Sequence, residues 1–190
     1  MRMNKTLKRL FPILLLIWPY TCVFFFALGT EEEELFGSVM AIYMVLTAAV
    51  YLLNIINVFL DKEEDACYRL VFWDMLTKLM HIPFYLIVFL LGILLLLTIV
   101  VPALVFVTPI MVGMLVIVDV LLMATTSVYG IGGIIRAWKK GLVTKTFAVV
   151  HMIMHCFFVT DVIGAIIVYF KLRKAKKSGK ADIKKELLTG

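Results

Sequence analysis

Four ionisable side chains, Asp119, His151, His155 and Asp161, lie within otherwise apolar stretches of the chain. An Asp at the centre of a membrane helix costs about 2.5–3.5 kcal/mol on insertion scales, so each such group needs a partner or a water-filled cavity. Their depths compare through the segment 130 to 146, which separates the fourth and fifth apolar stretches. At the helical rise, Asp119 stands about 15 Å from Tyr129 and His155 about 13.5 Å from Thr146, so the two are depth-matched near the midplane. If their faces meet, the pair is a proton relay or a cation site; the competing reading is one hydrogen bond between two helices, worth about 0.6 kcal/mol. His151 shares a face with His155, level with Thr125 and Thr126, whereas Asp161 points about 80° away from His151 and lies nearer the far side.

The string His151-Met152-Ile153-Met154-His155-Cys156 offers imidazole, thioether and thiol, all ligands for copper or zinc. Only the two histidines share a face, and HExxH is absent, because Met152, Ile153 and Met154 stand between them. No metal and no other cofactor is expected. Cys22, Cys67 and Cys156 are far apart and follow no disulfide or zinc spacing. Asn54 and Asn57 are spaced to bond across helices. The run Gly130-Ile131-Gly132-Gly133 fails GxGxxG and follows no strand, so its expected role is to end the fourth helix, or pack it closely, before a short helix IIRAWKKG. No nucleophile with a base is in view, and no enzymatic activity is expected.

Residues 66 to 81 carry a second polar set. Asp74, Thr77, Lys78 and His81 recur on one helical face, opposite Leu70, Val71, Trp73, Leu76, Leu79 and Met80. The pattern predicts an interfacial amphipathic helix leading into Pro83, with Trp73 at headgroup level. The Asp74/Lys78 pair then belongs to a solvated face and contributes about 0.2–0.5 kcal/mol; a binding role for that face is the alternative.

The elements that must position these groups follow from composition. Of 190 residues, 63% are hydrophobic and 17% charged, with a net charge of +6, and the mean hydropathy is +1.05. A soluble domain is about 45–50% apolar and about 25% charged. The composition excludes a soluble enzyme, an extracellular module and a nucleic-acid-binding domain, and it predicts an all-α polytopic membrane protein in contact with the lipid bilayer. Apolar spans are expected at about 11–29, 36–60, 82–101, 103–129 and 147–170, with the amphipathic helix at 66–81 and a basic tail at 171–190, in a single membrane domain. Pro102 to Pro109 is the natural turn between the third and fourth spans. The first stretch is read as an uncleaved anchor, because Phe24, Phe25 and Phe26 sit where a cleavage region would be small and polar.

The 19 Lys and Arg all lie outside these stretches, four before the first, three in 61 to 81, four in 136 to 145 and eight after 170. The positive-inside rule favours an inside N-terminus with Glu31 to Glu34 outside. Five crossings then leave the most basic segment outside. The conflict lifts if residues 147 to 170 enter and return, although that stretch has no proline and reads as one continuous helix. Otherwise the first stretch, with Pro12 and Pro19, lies bent in one leaflet.

The blocks FWDMLTKLMHIP (72 to 83), YGIGGIIRAWKKG (129 to 141) and DVIGAIIVYFK (161 to 171), with FPILLLIWPY near the start, resemble a family of small uncharacterised integral membrane proteins from Gram-positive bacteria. That resemblance implies a multi-pass protein of the bacterial plasma membrane, no established activity and no site residues. The leading expectation is a non-enzymatic accessory protein that associates with another membrane protein or with the lipid surface. The alternative is a small proton-coupled carrier using Asp119 and His155.

Overall fold

The computed structural model describes residues 5–22 and 33–189, and the side chains of 8–22 and 37–178. The expected cleavage-region residues 24–29 and Glu31 lie outside them. Six α-helices are present among the described residues: α1 (Lys5–Ile17), α2 (Glu33–Leu60), α3 (Ala66–Leu97), α4 (Val107–Lys139), α5 (Lys145–Met154) and α6 (Phe158–Thr189).

Three of these, over Gly37–Leu60, Ala66–Val100 and Val107–Lys139, are long and apolar enough to cross a membrane. Five were expected. The first expected span runs into the undescribed residues 23–32, and the fifth is not one helix, because its backbone turns at His155–Phe157 between α5 and α6. The expected interfacial helix does not exist as a separate element either. Residues 66 to 97 form one helix with Pro83 inside it, and the face read as solvated is buried: Asp74, Thr77 and Lys78 are each 1% exposed and His81 is 0% exposed.

The chain divides into two compact units, Met1–Asn57 with Leu79–Thr125, and Val58–Lys78 with Thr126–Gly190. In the first unit α1 runs antiparallel to α2. Near one end the Asn57 amide donates to the Lys8 carbonyl (3.4 Å); further along, Trp18 Nε1 donates to Thr47 Oγ1 (2.8 Å) and the indole stacks on Tyr43. The turn expected around Pro102 is found: 3-10 turns at Thr98–Val100 and Pro102–Leu104 flank extended Val101, and the Thr98 and Thr108 hydroxyls bond across it at 2.8 Å.

In the second unit the glycine run proves to be a packing surface, and α4 continues through it to Lys139 with no separate short helix. A Cβ on Gly133 would stand 2.5 Å from Val71 Cγ2 and 3.2 Å from the Val71 amide nitrogen, so only glycine admits α3 this closely. Gly141, at φ 70°, then ends α4 in a Schellman motif: Leu142 N–H donates to the Ala137 carbonyl (3.0 Å) and Gly141 N–H to that of Trp138 (2.9 Å). Thr144 caps α5, its hydroxyl accepting from Phe147 N–H (3.3 Å).

Helices α5 and α6 form an antiparallel hairpin. Close to the turn, a Cβ on Gly164 would lie 3.4 Å from Met154 Cβ; at the open end, Lys171 Nζ sits 3.6 Å over the Phe147 ring. The apolar core of this unit, Cys67 and Val71 of α3, Ile134 and Ala137 of α4, Ala148 of α5 and Val168 and Leu172 of α6, closes the hairpin against both long helices.

Candidate functional site

The turn of that hairpin carries the charged residues. Asp74 and Lys78, one helical turn apart on α3, meet His155 from the turn and Asp161 from the first turn of α6. All four are 1–3% exposed. Lys78 Nζ is 2.7 Å from Asp74 Oδ1, 2.5 Å from Asp161 Oδ1 and 2.7 Å from His155 Nδ1. His155 Nδ1 also contacts Asp161 Oδ1 directly. The other ring nitrogen, Nε2, makes no hydrogen bond among the described residues and lies 3.8 Å from Asp74 Oδ2. Ser127 of α4 stands over the turn, its hydroxyl within 3.3 Å of both the His155 carbonyl and Asp161 Oδ1. One turn further on, Gly130 forms the floor of the site: a Cβ there would lie 2.5 Å from both Asp74 Oδ2 and His155 Nε2.

The break at 155–157 makes this contact possible. In an unbroken helix, residues six apart differ by about 120° in direction and about 9 Å in height, too far for His155 to touch Asp161. The turn brings the two side chains together and still satisfies its backbone. Phe157 N–H and the Thr160 hydroxyl both donate to the Met154 carbonyl (3.2 and 3.0 Å), and Asp161 N–H donates to that of Phe157 (2.8 Å).

His155 is therefore held by Lys78 and Asp161, not by Asp119. The depth comparison placed the end of the fourth helix at Tyr129, whereas α4 runs ten residues further, to Lys139. Counted from the true ends, His155 rises about 15 Å along α5 and Ser127 about 18 Å along α4, so Ser127 and Gly130 share the level of His155. Asp119 lies about 12 Å beyond Ser127 along α4; it belongs to the first unit, where its Oδ1 is buried without a hydrogen bond among the described residues.

The remaining candidates are dispersed. His151 Nδ1 lies 2.9 Å from the Phe147 carbonyl and its ring stacks on that phenyl group, with Nε2 buried and without a hydrogen bond among the described residues. His81, in the first unit, places Nε2 3.3 Å from the Leu16 carbonyl. Thr77 donates back to the Trp73 carbonyl at 2.6 Å. Among the described residues no three His, Cys, Asp or Glu side chains are placed to hold a metal ion. Ser127 is the member that sequence reasoning missed, whereas Gly130 was read as a helix end or close-packing position; their i,i+3 spacing on α4 was the available signal.

At the opposite end of the second unit from the hairpin turn, three segments meet. Lys140 Nζ bonds the Glu64 carbonyl, Lys176 Nζ is 3.4 Å from Asp65, and Arg69 binds Asp61 and Glu63.

Together these features define an all-α protein with three helices able to span a bilayer and a buried ionic cluster. Residues 7–177 match DUF6652, a family of unknown function, and the chain belongs to that family. The matched region takes in the three sequence blocks and all four members of the cluster. No curated protein and no solved structure matches the chain.

Proposed function

We propose that this chain is a non-enzymatic, multi-pass protein of a bacterial plasma membrane that works as a small proton-coupled carrier, with its proton held in the cluster of Asp74, Lys78, His155 and Asp161. The charge count in the cluster carries the proposal. Two carboxylates face one ammonium, so the site holds one uncompensated negative charge when the imidazole is neutral and none when it is protonated. A net charge buried in apolar surroundings is strongly disfavoured, and one proton removes it. The imidazole of His155 stands between the two carboxylates, with Nδ1 against Asp161 and Nε2 facing Asp74. The groups facing the ring are Asp74 and Lys78 from α3, Asp161 from α6 and the neutral Ser127 and Gly130 from α4. The ring sits at the turn of the hairpin, so a change in protonation alters what ties that turn to α3.

The layout supports a membrane arrangement that five crossings did not. Lys8 lies beside Asn57, near the end of α2 that leads into 61–65. The segments at 61–65 and 140, and Lys176 on the returning arm, meet at one end of the second unit. The positive-inside rule then puts the basic segments that meet at this end of the second unit inside.

The test is proton flux into liposomes holding the purified full-length protein, driven by a potassium-diffusion potential and read by an internal pH dye. Flux in the unaltered protein, reduced at least tenfold in Asp161→Asn and unchanged in Asp119→Asn, is the expected result. No flux above protein-free liposomes, or equal loss in Asp119→Asn, would overturn the assignment.

A second reading, an accessory protein that binds another membrane protein, draws on the concentration of basic residues at one end. Stable copurification of a membrane partner that survives Asp161→Asn would favour it.

A further inference from the structure

At the basic end of the second unit, α3 and α6 enclose a groove of about 200 Å³. Its floor is Val71 and Leu172, its walls are Tyr68, Phe72 and Tyr169, and its rim is Arg173 and Lys176. The rim cations lie against the aromatic walls: the Arg173 guanidinium is 5.9 Å from the Tyr169 ring centre and Lys176 Nζ is 4.6 Å from that of Tyr68. Among the described residues, no acidic side chain lines the groove. The nearest counter-charge, Asp65, pairs with Lys176 at 3.4 Å, and its own side chain is 70% exposed, so water screens the pair. Phe72 remains 38% exposed although it faces a mouth ringed by positive charge.

This combination is apolar below, aromatic at the sides and cationic at the rim. It lies where α3 enters its apolar run, the level at which tyrosines and basic residues meet lipid headgroups. We infer that the groove holds one anionic phospholipid, with the phosphate between Arg173 and Lys176 and the first part of an acyl chain along Phe72 and Val71. Charge complementarity selects an anionic lipid over a zwitterionic one, and the apolar floor selects a lipid over a free phosphate ion. The inference requires that the helices lie in a bilayer; it does not require that the ionic cluster carry protons.

Retention of lipid by the detergent-solubilised full chain, measured by native mass spectrometry, tests this. The probes are phosphatidylglycerol, phosphatidylcholine of the same chain length, and inorganic phosphate as competitor. Each basic residue near an anionic surface contributes enough that the Arg173→Gln/Lys176→Gln double variant should lose roughly tenfold or more of the phosphatidylglycerol affinity. The charge-matched Lys174→Gln/Lys177→Gln variant, altered outside the groove, should lose much less. Equal losses in the two variants would reduce the site to general tail charge and overturn the inference. So would equal retention of phosphatidylcholine, or full displacement by inorganic phosphate. Unchanged thermal unfolding of both variants separates a lost site from a lost fold.

Discussion

Replacing Gly130 by alanine tests whether the ionic cluster is packed on the backbone of α4. The added methyl carbon would sit 2.5 Å from Asp74 Oδ2, 2.5 Å from His155 Nε2 and 2.7 Å from His155 Cε1. Ordinary contact requires each to retreat by about 0.7–0.9 Å. Neither has room: Asp74 is paired to Lys78 at 2.7 Å, and the imidazole is held at Nδ1 by Lys78 and Asp161. Overpacking of this kind costs about 1–3 kcal/mol. Alanine in a helix interior recovers about 0.8–1 kcal/mol relative to glycine, leaving a net destabilisation of up to about 2 kcal/mol. Gly113 on the same helix is the control, because a Cβ there meets nothing within 4 Å. Gly113→Ala should match or exceed the unaltered protein in stability. Reversible unfolding in mixed micelles, followed by far-UV circular dichroism, reads both variants, and proton flux reads the consequence for the site. If Gly130→Ala proved as stable as Gly113→Ala and kept its flux, the close approach of Asp74 and His155 over α4 would be refuted.

Two further outcomes follow from the geometry. Lys78→Met leaves two buried carboxylates without their cation and should cost about 3–5 kcal/mol, enough to deplete folded protein; adding Asp161→Asn restores the charge balance and should recover the folded yield in size-exclusion chromatography, and failure to do so would remove Lys78 as the neutralising centre. In a background lacking Cys22, Cys67 and Cys156, a cysteine at Ser38 should react with an impermeant maleimide on intact cells and one at Ser178 should not, whereas labelling of Ser178 would place the tail outside and reject the returning hairpin.

Much of the architecture was legible because long apolar helices are written in composition. The apolar runs at α2, α3 and α4 could not be mistaken, and Pro102 marked the turn between the last two. The polar face of α3 was legible as a set, but not its burial. The spacing of Asp74 and Lys78 is the same whether the face meets water or two other helices, and only Ser127, Gly130 and the hairpin decide which. The glycine run misled in a specific way: it signals either a helix end or a close contact, and taking it as an end moved the depth reference by ten residues and matched His155 to Asp119. No Pro or Gly marks the break at His155–Phe157, and only the distribution of basic residues pointed to a return within 147–170. The break is sustained by Lys78 and Asp161, which are contacts made at a distance in the chain.

The cluster also imposes an order of assembly on biosynthesis. Asp74 and Lys78 neutralise each other through their spacing on one helix, so α3 leaves the ribosome carrying its own counter-ion. The hairpin has no such provision: His155 and Asp161 emerge later, with their ammonium already resident in an earlier segment. The last third of the chain is thus a client of the middle third, able to seat itself only against a finished α3 and α4, and damage to that earlier pair will surface as a failure of the segment synthesised last.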